Sequence, residues 1–494
     1  MIPYKSIIQI NKKKGIAIYL QLTNAIIGLI KDGTLISGAK LPSSRKLSDL
    51  LEIHRKTVLA SYEELQLQGW ITTLPQKGTF VSSKVPIINQ KDFLKNKETT
   101  KSENAGFSFY KNEHLIAHEE KEANTTIYIN DGIPDTRLAP LKELAIIYRN
   151  IVAKKNTLQF INYGTAHGNK DLRNNIAKYL NETRGLKITK DNVLITRGSQ
   201  MGIYLAAQLI VKPKDCIVVG ETNYISADRT FLYNGATIKR VPVDRDGLCI
   251  LSLEKLCSQN LVKGIYITSH HHHPTTVTLS AERRIAILQL AKKYNFAILE
   301  DDYDYDFHYS HSPILPLASH DKNGNVMYLG SICKSVAPVF RIGYMIATKD
   351  VINEAATRRK YMDRQGDALL EMTFAKFIAS GDLQRHTNKV LKIYKERRDF
   401  FCKYLKEELS DYLNFEIPKG GMAVWVQLDK KYNWEQISRI AKKHQLVITD
   451  WKNYDPTNSK HNGMRFGFAS YNLKEIENLV LRLKNIFLEV KNLK

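Results

Sequence analysis

Apolar side chains recur at helical spacing between residues 19 and 31 (Leu22, Ile26, Leu29, Ile30), and Gly33 follows where a helix would end. Ser43 and Ser44 then offer caps for a short helix that turns Leu47, Leu50 and Leu51 inward. A brief turn, Glu52-Ile53-His54, leads to a second helix from about Arg55 to Gln68 with Val58, Tyr62 and Leu65 on one face, closed by Gly69. Two short helices joined by a tight turn predict a helix-turn-helix. The runs Trp70–Leu74 and Thr79–Ser82 flank Pro75-Gln76-Lys77-Gly78 and predict a β-hairpin wing. Residues 83–125 lose this texture; within them Lys91–Asn104 is polar and reads as a solvated linker. From Ile127 onward, helical stretches alternate with short β-rich runs: Val193–Thr196, Cys216–Val219, Gly264–Thr268, Ala297–Leu299 and Val326–Leu329. That alternation predicts an α/β domain with a mostly parallel central sheet. The expected division is a winged-helix domain over 1–82, a linker over 83–125 and the α/β domain over 126–494.

Composition adds exclusions. No run approaches the ~18–20 apolar residues of a membrane span, and the amino terminus lacks the apolar stretch of a signal peptide. A cytoplasmic protein without a membrane partner is expected. The five cysteines are widely spaced and form no CxxC pair, which argues against a disulfide framework or a zinc site. The formal charge of +23 favours an anionic partner. Its distribution does not locate one. Residues 1–82 hold eleven Lys and Arg against five Asp and Glu, residues 83–125 hold seven of each, and the rest of the excess lies beyond. Plain surface lysine accounts for the same balance.

The strand ends of the α/β part carry chemistry. A pyridoxal-phosphate site needs an amine, a carboxylate for the pyridine nitrogen, a grip on the phosphate and an aromatic cover. Lys334 follows the apolar run Val326–Leu329, the place where α/β folds put ligands. A surface lysine would look the same alone, but Ser331 and Arg341 flank Lys334 and both suit a phosphate dianion. Asp301, after Ala297–Leu299, is the carboxylate, and Tyr303 is placed to donate to the cofactor's phenolic oxygen. The acidic run around Asp301 also reads as a metal site, though only His308 accompanies it; no metal is expected. Arg197-Gly198-Ser199-Gln200 precedes the helical run Met201–Val211, so Gly198, Ser199 and Gln200 open a helix toward an anion. Tyr224 is the candidate ring cover.

Residues 40–81 (KLPSSRKLSDLLEIHRKTVLASYEELQLQGWITTLPQKGTFV) closely resemble the winged-helix domain of the GntR family. The resemblance implies DNA contacts from Ser44, Arg45, Arg55, Lys56, Thr57, Lys77 and Gly78. The motifs around Tyr224, Asp301 and Lys334 resemble fold-type I aminotransferases in type and order. Joined to the head, the chain resembles the MocR subfamily. The resemblance implies a smaller C-terminal α+β subdomain and pyridoxal phosphate as cofactor. Lys334 is then the Schiff-base lysine, and Asp301 pairs with the ring nitrogen. Ser199, Gln200, Ser331 and Arg341 hold the phosphate, with Tyr163 reaching it from the partner of a homodimer. His271 keeps the family's histidine, and Arg465 (in MRFGFAS) takes an effector carboxylate. One segment departs: residues 268–276 read TSHHHHPTT, with His273-Pro274 where true aminotransferases have Asn-Pro. Four successive histidines also suggest metal binding. The expected function is a DNA-binding regulator that senses a small amino compound as an aldimine at Lys334. The alternatives are a working aminotransferase with an accessory DNA-binding head, or a regulator of vitamin B6 genes with pyridoxal phosphate itself as effector.

Overall fold

The computed structural model describes residues 2–13, 15–84, 104–110, 127–309, 314–332, 334–448, 451–454 and 460–492. The chain divides into two compact units, Met1–His114 and Leu115–Lys494. Most of the linker expected over 83–125 lies outside the described residues.

The first unit holds helices Tyr4–Ile7, Ile18–Lys31, Ser44–Leu51 and Arg55–Leu67, then the antiparallel strands Ile71–Leu74 and Gly78–Val81. Local chemistry sets these bounds. The Ser43 side chain accepts a hydrogen bond from the Lys46 amide and caps the third helix. Glu52, in the left-handed region, ends it, and Gly69 (φ 77°) follows the fourth. Leu22, Ile26, Leu47, Val58 and Leu65 are fully buried together. Each contributes about 1.5–3 kcal/mol relative to exposure. The buried hydroxyls of Thr23 and Ser61 satisfy each other at 3.0 Å.

The second unit is built on a seven-stranded sheet. In spatial order its strands are Val193–Thr196, Gly343–Ile346, Val326–Ser331, Ala297–Asp302, Val262–Ile267, Cys216–Gly220 and Thr237–Val241. All neighbours pair in parallel except Gly343–Ile346, which runs antiparallel to both of its own. Alternate residues feed opposite cores: Ile195, Val218, Ile265 and Ile298 on one face, Leu194, Ile217, Tyr266 and Leu299 on the other. A sheet covered on both faces reads as continuous apolar runs, the pattern seen in the sequence. A smaller antiparallel sheet, Leu413–Phe415, Ala423–Leu428 and Gly463–Gly467, packs with helices Asp382–Leu409, Trp434–Lys443 and Leu473–Asn492 around a third core. No helix among the described residues is long and apolar enough to cross a membrane.

One strand runs further than expected. Ala297–Leu299 continues through Asp302, with Asp301 paired to Leu329. Hydropathy stops at Leu299 because the next three side chains are acids. All three are buried and compensated: Glu300 accepts from the amides of Leu317 and Ala318, Asp301 from the Tyr266 hydroxyl and Asp302 from the Tyr328 hydroxyl.

Candidate functional site

The carboxyl ends of the central strands converge on Lys334. It lies just past Val326–Ser331, and its Nζ donates to the Gly132 carbonyl at 2.9 Å and sits 5.9 Å above the Tyr303 ring. Asp301 approaches from the adjacent strand. Its Oδ2 accepts from the Tyr266 hydroxyl at 2.8 Å, while Oδ1 is buried without a hydrogen-bond partner. Burial pushes the Asp301 carboxyl up to about 7; the Tyr266 hydrogen bond pulls it down, Asp304 pushes it up and the Lys334 charge pulls it down. A buried acid with one unanswered oxygen suits a cationic N–H donor such as a pyridinium nitrogen.

A pH effect follows from the sign of that shift. Because the folded value lies above the unfolded one, Asp301 costs stability as pH rises from about 4 through about 7. In cofactor-free protein, Asp301→Asn should be the more stable form at pH 8 and lose its advantage by pH 4. The difference is bounded at about 4 kcal/mol by ~1.4 kcal/mol per pKa unit. Denaturant melts of both proteins across that range measure it; a pH-independent difference would refute the assignment.

A second wall has groups that suit an anion. Gly198 (φ 74°) precedes helix Ser199–Ile210, whose first amides are free of intrahelical partners. Arg341, itself left-handed at φ 51°, donates from Nη2 to the Arg197 carbonyl at 2.8 Å. A Cβ on residue 198 would lie 2.7 Å from that Nη2, so the approach of backbone and guanidinium favours glycine. Ser331 Oγ donates to the Ile342 carbonyl at 3.4 Å. Gln200 donates from Nε2 to Thr230 Oγ1 at 2.8 Å and keeps Oε1 buried without a partner.

Around these groups stand Tyr224, at the start of helix Ile225–Tyr233, and His273, whose ring centres are 5.1 Å apart and edge-on. Tyr303 donates to the His271 carbonyl at 3.1 Å. His271 itself departs from expectation. Its imidazole bonds the buried Asp304 carboxylate at 2.8 Å and lies against Gly420, lining a separate cavity of about 890 Å³. Lys334, Asp301 and Tyr224 do not line that cavity. The imidazole beside Tyr224 and Tyr303 is that of His273. The four histidines take separate surroundings: His270 packs on the Tyr305 ring, His271 meets Asp304, His272 the Thr222 carbonyl, and His273 the Asp131 carboxylate. Among the described residues no three His, Cys, Asp or Glu side chains are grouped to hold a metal ion.

Asp131 is the residue that sequence reasoning missed. Its Oδ2 is 3.0 Å from His273 Nε2, and its backbone carbonyl accepts from Arg465 Nε at 2.8 Å. Arg465 lies mid-strand in Gly463–Gly467 and also donates from Nη1 to the Pro274 carbonyl at 3.4 Å. No motif announces Asp131, which precedes the first helix of the unit by several residues. Tyr163 stands apart, 74% exposed, with the Arg364 guanidinium 4.0 Å over its ring.

In the first unit, Arg45, Arg55, Lys56 and Lys77 are exposed, and Ser44, Thr57 and Gly78 are half-buried. Arg55 Nε donates to Ser44 Oγ at 3.3 Å, linking the starts of the two motif helices. Lys40, not singled out from sequence, lies over the Phe80 ring at 5.7 Å and adds a cation beside the wing.

Comparison with known proteins agrees with this geometry. Residues 145–483 match the family model "Aminotransferase class I and II", and residues 18–81 match "Bacterial regulatory proteins, gntR family". Over both units together, the chain is 23% identical to the probable rhizopine catabolism regulatory protein MocR of Rhizobium meliloti, covering 98% of this chain and 96% of that protein. The chain belongs to the MocR subfamily of GntR-type regulators. Its large unit is a class I and II aminotransferase domain. Another relative over nearly the full length is the uncharacterized HTH-type transcriptional regulator YdeL of Bacillus subtilis, 26% identical across 96% of this chain and 98% of that protein. Among solved structures, the multiple substrate aminotransferase of Thermococcus profundus covers 78% of this chain and 98% of its own at 26% identity, with a TM-score of 0.72. As a MocR-type protein, this chain is a DNA-binding transcription regulator, and the cofactor of its large unit is pyridoxal phosphate.

Proposed function

We propose that this MocR-type regulator holds pyridoxal phosphate at Lys334 and couples the binding of a small amino compound there to DNA affinity. The observation that carries the reading is the buried, unpartnered Asp301 Oδ1 in the same cleft as the Lys334 amine. The bound cofactor supplies an aldehyde that condenses with primary amines and a ring that withdraws electrons. The chain's residues do the rest. Lys334 supplies the amine for attachment. Asp301 accepts from the ring nitrogen, and that cation keeps the buried carboxylate ionised. Tyr224 covers the ring, and Tyr303 stands on its phenolic side. Gly198, Ser199, Gln200, Ser331 and Arg341 supply the phosphate's donors. The exposure of Tyr163 supports its service to the other subunit of a homodimer.

The DNA-binding surface is assigned to Ser44, Arg45, Arg55, Lys56, Thr57, Lys77 and Gly78, with Lys40 added. An effector shifts operator affinity only insofar as it favours one arrangement of the protein over another. Fluorescence anisotropy of a labelled operator, with and without cofactor and amino compounds, tests the coupling. Affinity that changes at least about fivefold, the low end of ordinary coupling, supports it. Affinity indifferent to every amine and to the cofactor rules it out.

A further inference from the structure

We infer that the effector pocket selects a cationic amine, a diamine in preference to an amino acid, through the Asp131 carboxylate. This rests on the reading that the cofactor is held at Lys334. The cleft shows an incoming molecule one charge more openly than the other. Arg465, the guanidinium expected to take a carboxylate, is 1% exposed, and its Nε and Nη1 donate to the carbonyls of Asp131 and Pro274. The Asp131 side chain, bonded to His273, keeps 32% of its surface open. With Lys334 committed to the cofactor and Arg341 to its phosphate, the more open of the two remaining charges is the negative one.

That charge is robust. Burial alone would raise the Asp131 carboxyl, but the His273 hydrogen bond and the charges of His273, Lys334 and Arg465 hold it below the usual carboxylate range. One of its oxygens is occupied: Oδ2 faces His273, and no protein donor bonds Oδ1 among the described residues. The surroundings suit an ammonium group as well. The Tyr303 ring stands beside His273 and already lies 5.9 Å from the cationic centres of both Lys334 and Arg465. An aromatic ring next to a carboxylate adds to the attraction for an alkylammonium ion. Lys334 would oppose such a ligand while its amine is free and charged. An α-carboxylate in the same place would face the Asp131 carboxylate, with the Arg465 guanidinium buried behind it.

The test uses cofactor-loaded full-length protein and three probes of equal carbon count: cadaverine, pentylamine and 5-aminopentanoate. The shift in cofactor absorbance gives half-saturation for each. The expected result is a diamine preference of about tenfold or more over both others, the value of one ~1.4 kcal/mol contact. Asp131→Asn should erase that preference and Asp131→Glu should retain it. Equal half-saturation in the wild type, or preference for the amino acid, overturns the inference, as does a preference that survives Asp131→Asn. Borohydride trapping on Lys334, run on the same wild-type sample, separates the two claims. An adduct without diamine preference defeats only the effector class. Absence of the adduct defeats the cofactor reading beneath it.

Discussion

Lys334→Ala should abolish covalent attachment of pyridoxal phosphate while leaving the fold intact. The charge of Lys334 acts on Asp301, Asp131 and His273 together. It is half-buried, and its amine donates to the backbone carbonyl of Gly132. Truncation therefore removes chemistry more than packing. Borohydride reduction followed by peptide mapping should place one adduct on Lys334 in the wild type and none in the variant. The wild type should also gain thermal stability when loaded. A ligand in hundredfold to thousandfold excess over Kd contributes about 2.7–4.1 kcal/mol, and most of this should vanish in the variant. Far-UV circular dichroism of the two cofactor-free forms should coincide. An adduct found on another lysine would move the site and sink the assignments of Asp301 and Tyr303 with it.

The fold was legible where local chemistry and packing agree. In the head, the Ser43 cap, Gly69 and the apolar spacing of Val58, Tyr62 and Leu65 mark helix ends and faces that recur in the structure. In the large unit, strands buried on both faces show as apolar runs. Thr237–Val241 does not stand out in the sequence because it is an edge strand whose side chains alternate between exposed and covered, with Lys239 and Arg240 among them. The end of Ala297–Asp302 is hidden because its acids are stabilised by partners distant in sequence, such as Tyr328 and the amides of Leu317 and Ala318. The site divides the same way. Lys334, Asp301 and Tyr303 sit on motifs tied to strand ends, so the sequence could place them in one cleft. Asp131 lies 142 residues from His273 in sequence, and only the folded chain brings them together. His271 and His273 show the converse limit. Position within a motif did not reveal that Asp304, a buried carboxylate, takes the His271 imidazole.

Arg55→Ala should weaken operator binding by roughly 1–3 kcal/mol, about fivefold to 150-fold, if Arg55 reads a base. Arg55 opens the helix Arg55–Leu67, the end that enters a major groove in helix-turn-helix proteins. Its guanidinium is exposed, and its Nε bond to Ser44 orients it between the starts of the two motif helices. Neither helix depends on that side chain: the core beneath them is Leu47, Val58 and Leu65. Weaker binding would thus report DNA recognition and not unfolding. Anisotropy titrations against the operator and a scrambled duplex, repeated across salt, separate base recognition from phosphate anchoring. If Arg55 touches a base, its truncation should reduce binding to the operator far more than to the scrambled duplex. Lys77→Ala, at the tip of the wing, should weaken both duplexes alike and lower the magnitude of the log-log salt slope by about 1, as removal of a phosphate contact does. If Arg55→Ala instead behaves like Lys77→Ala, Arg55 is a phosphate anchor and the base reading passes to other groups of the same helix end, Lys56 and Thr57. If it changes neither duplex, the Arg55–Ser44 bond is scaffolding, and the head must read DNA through a different face.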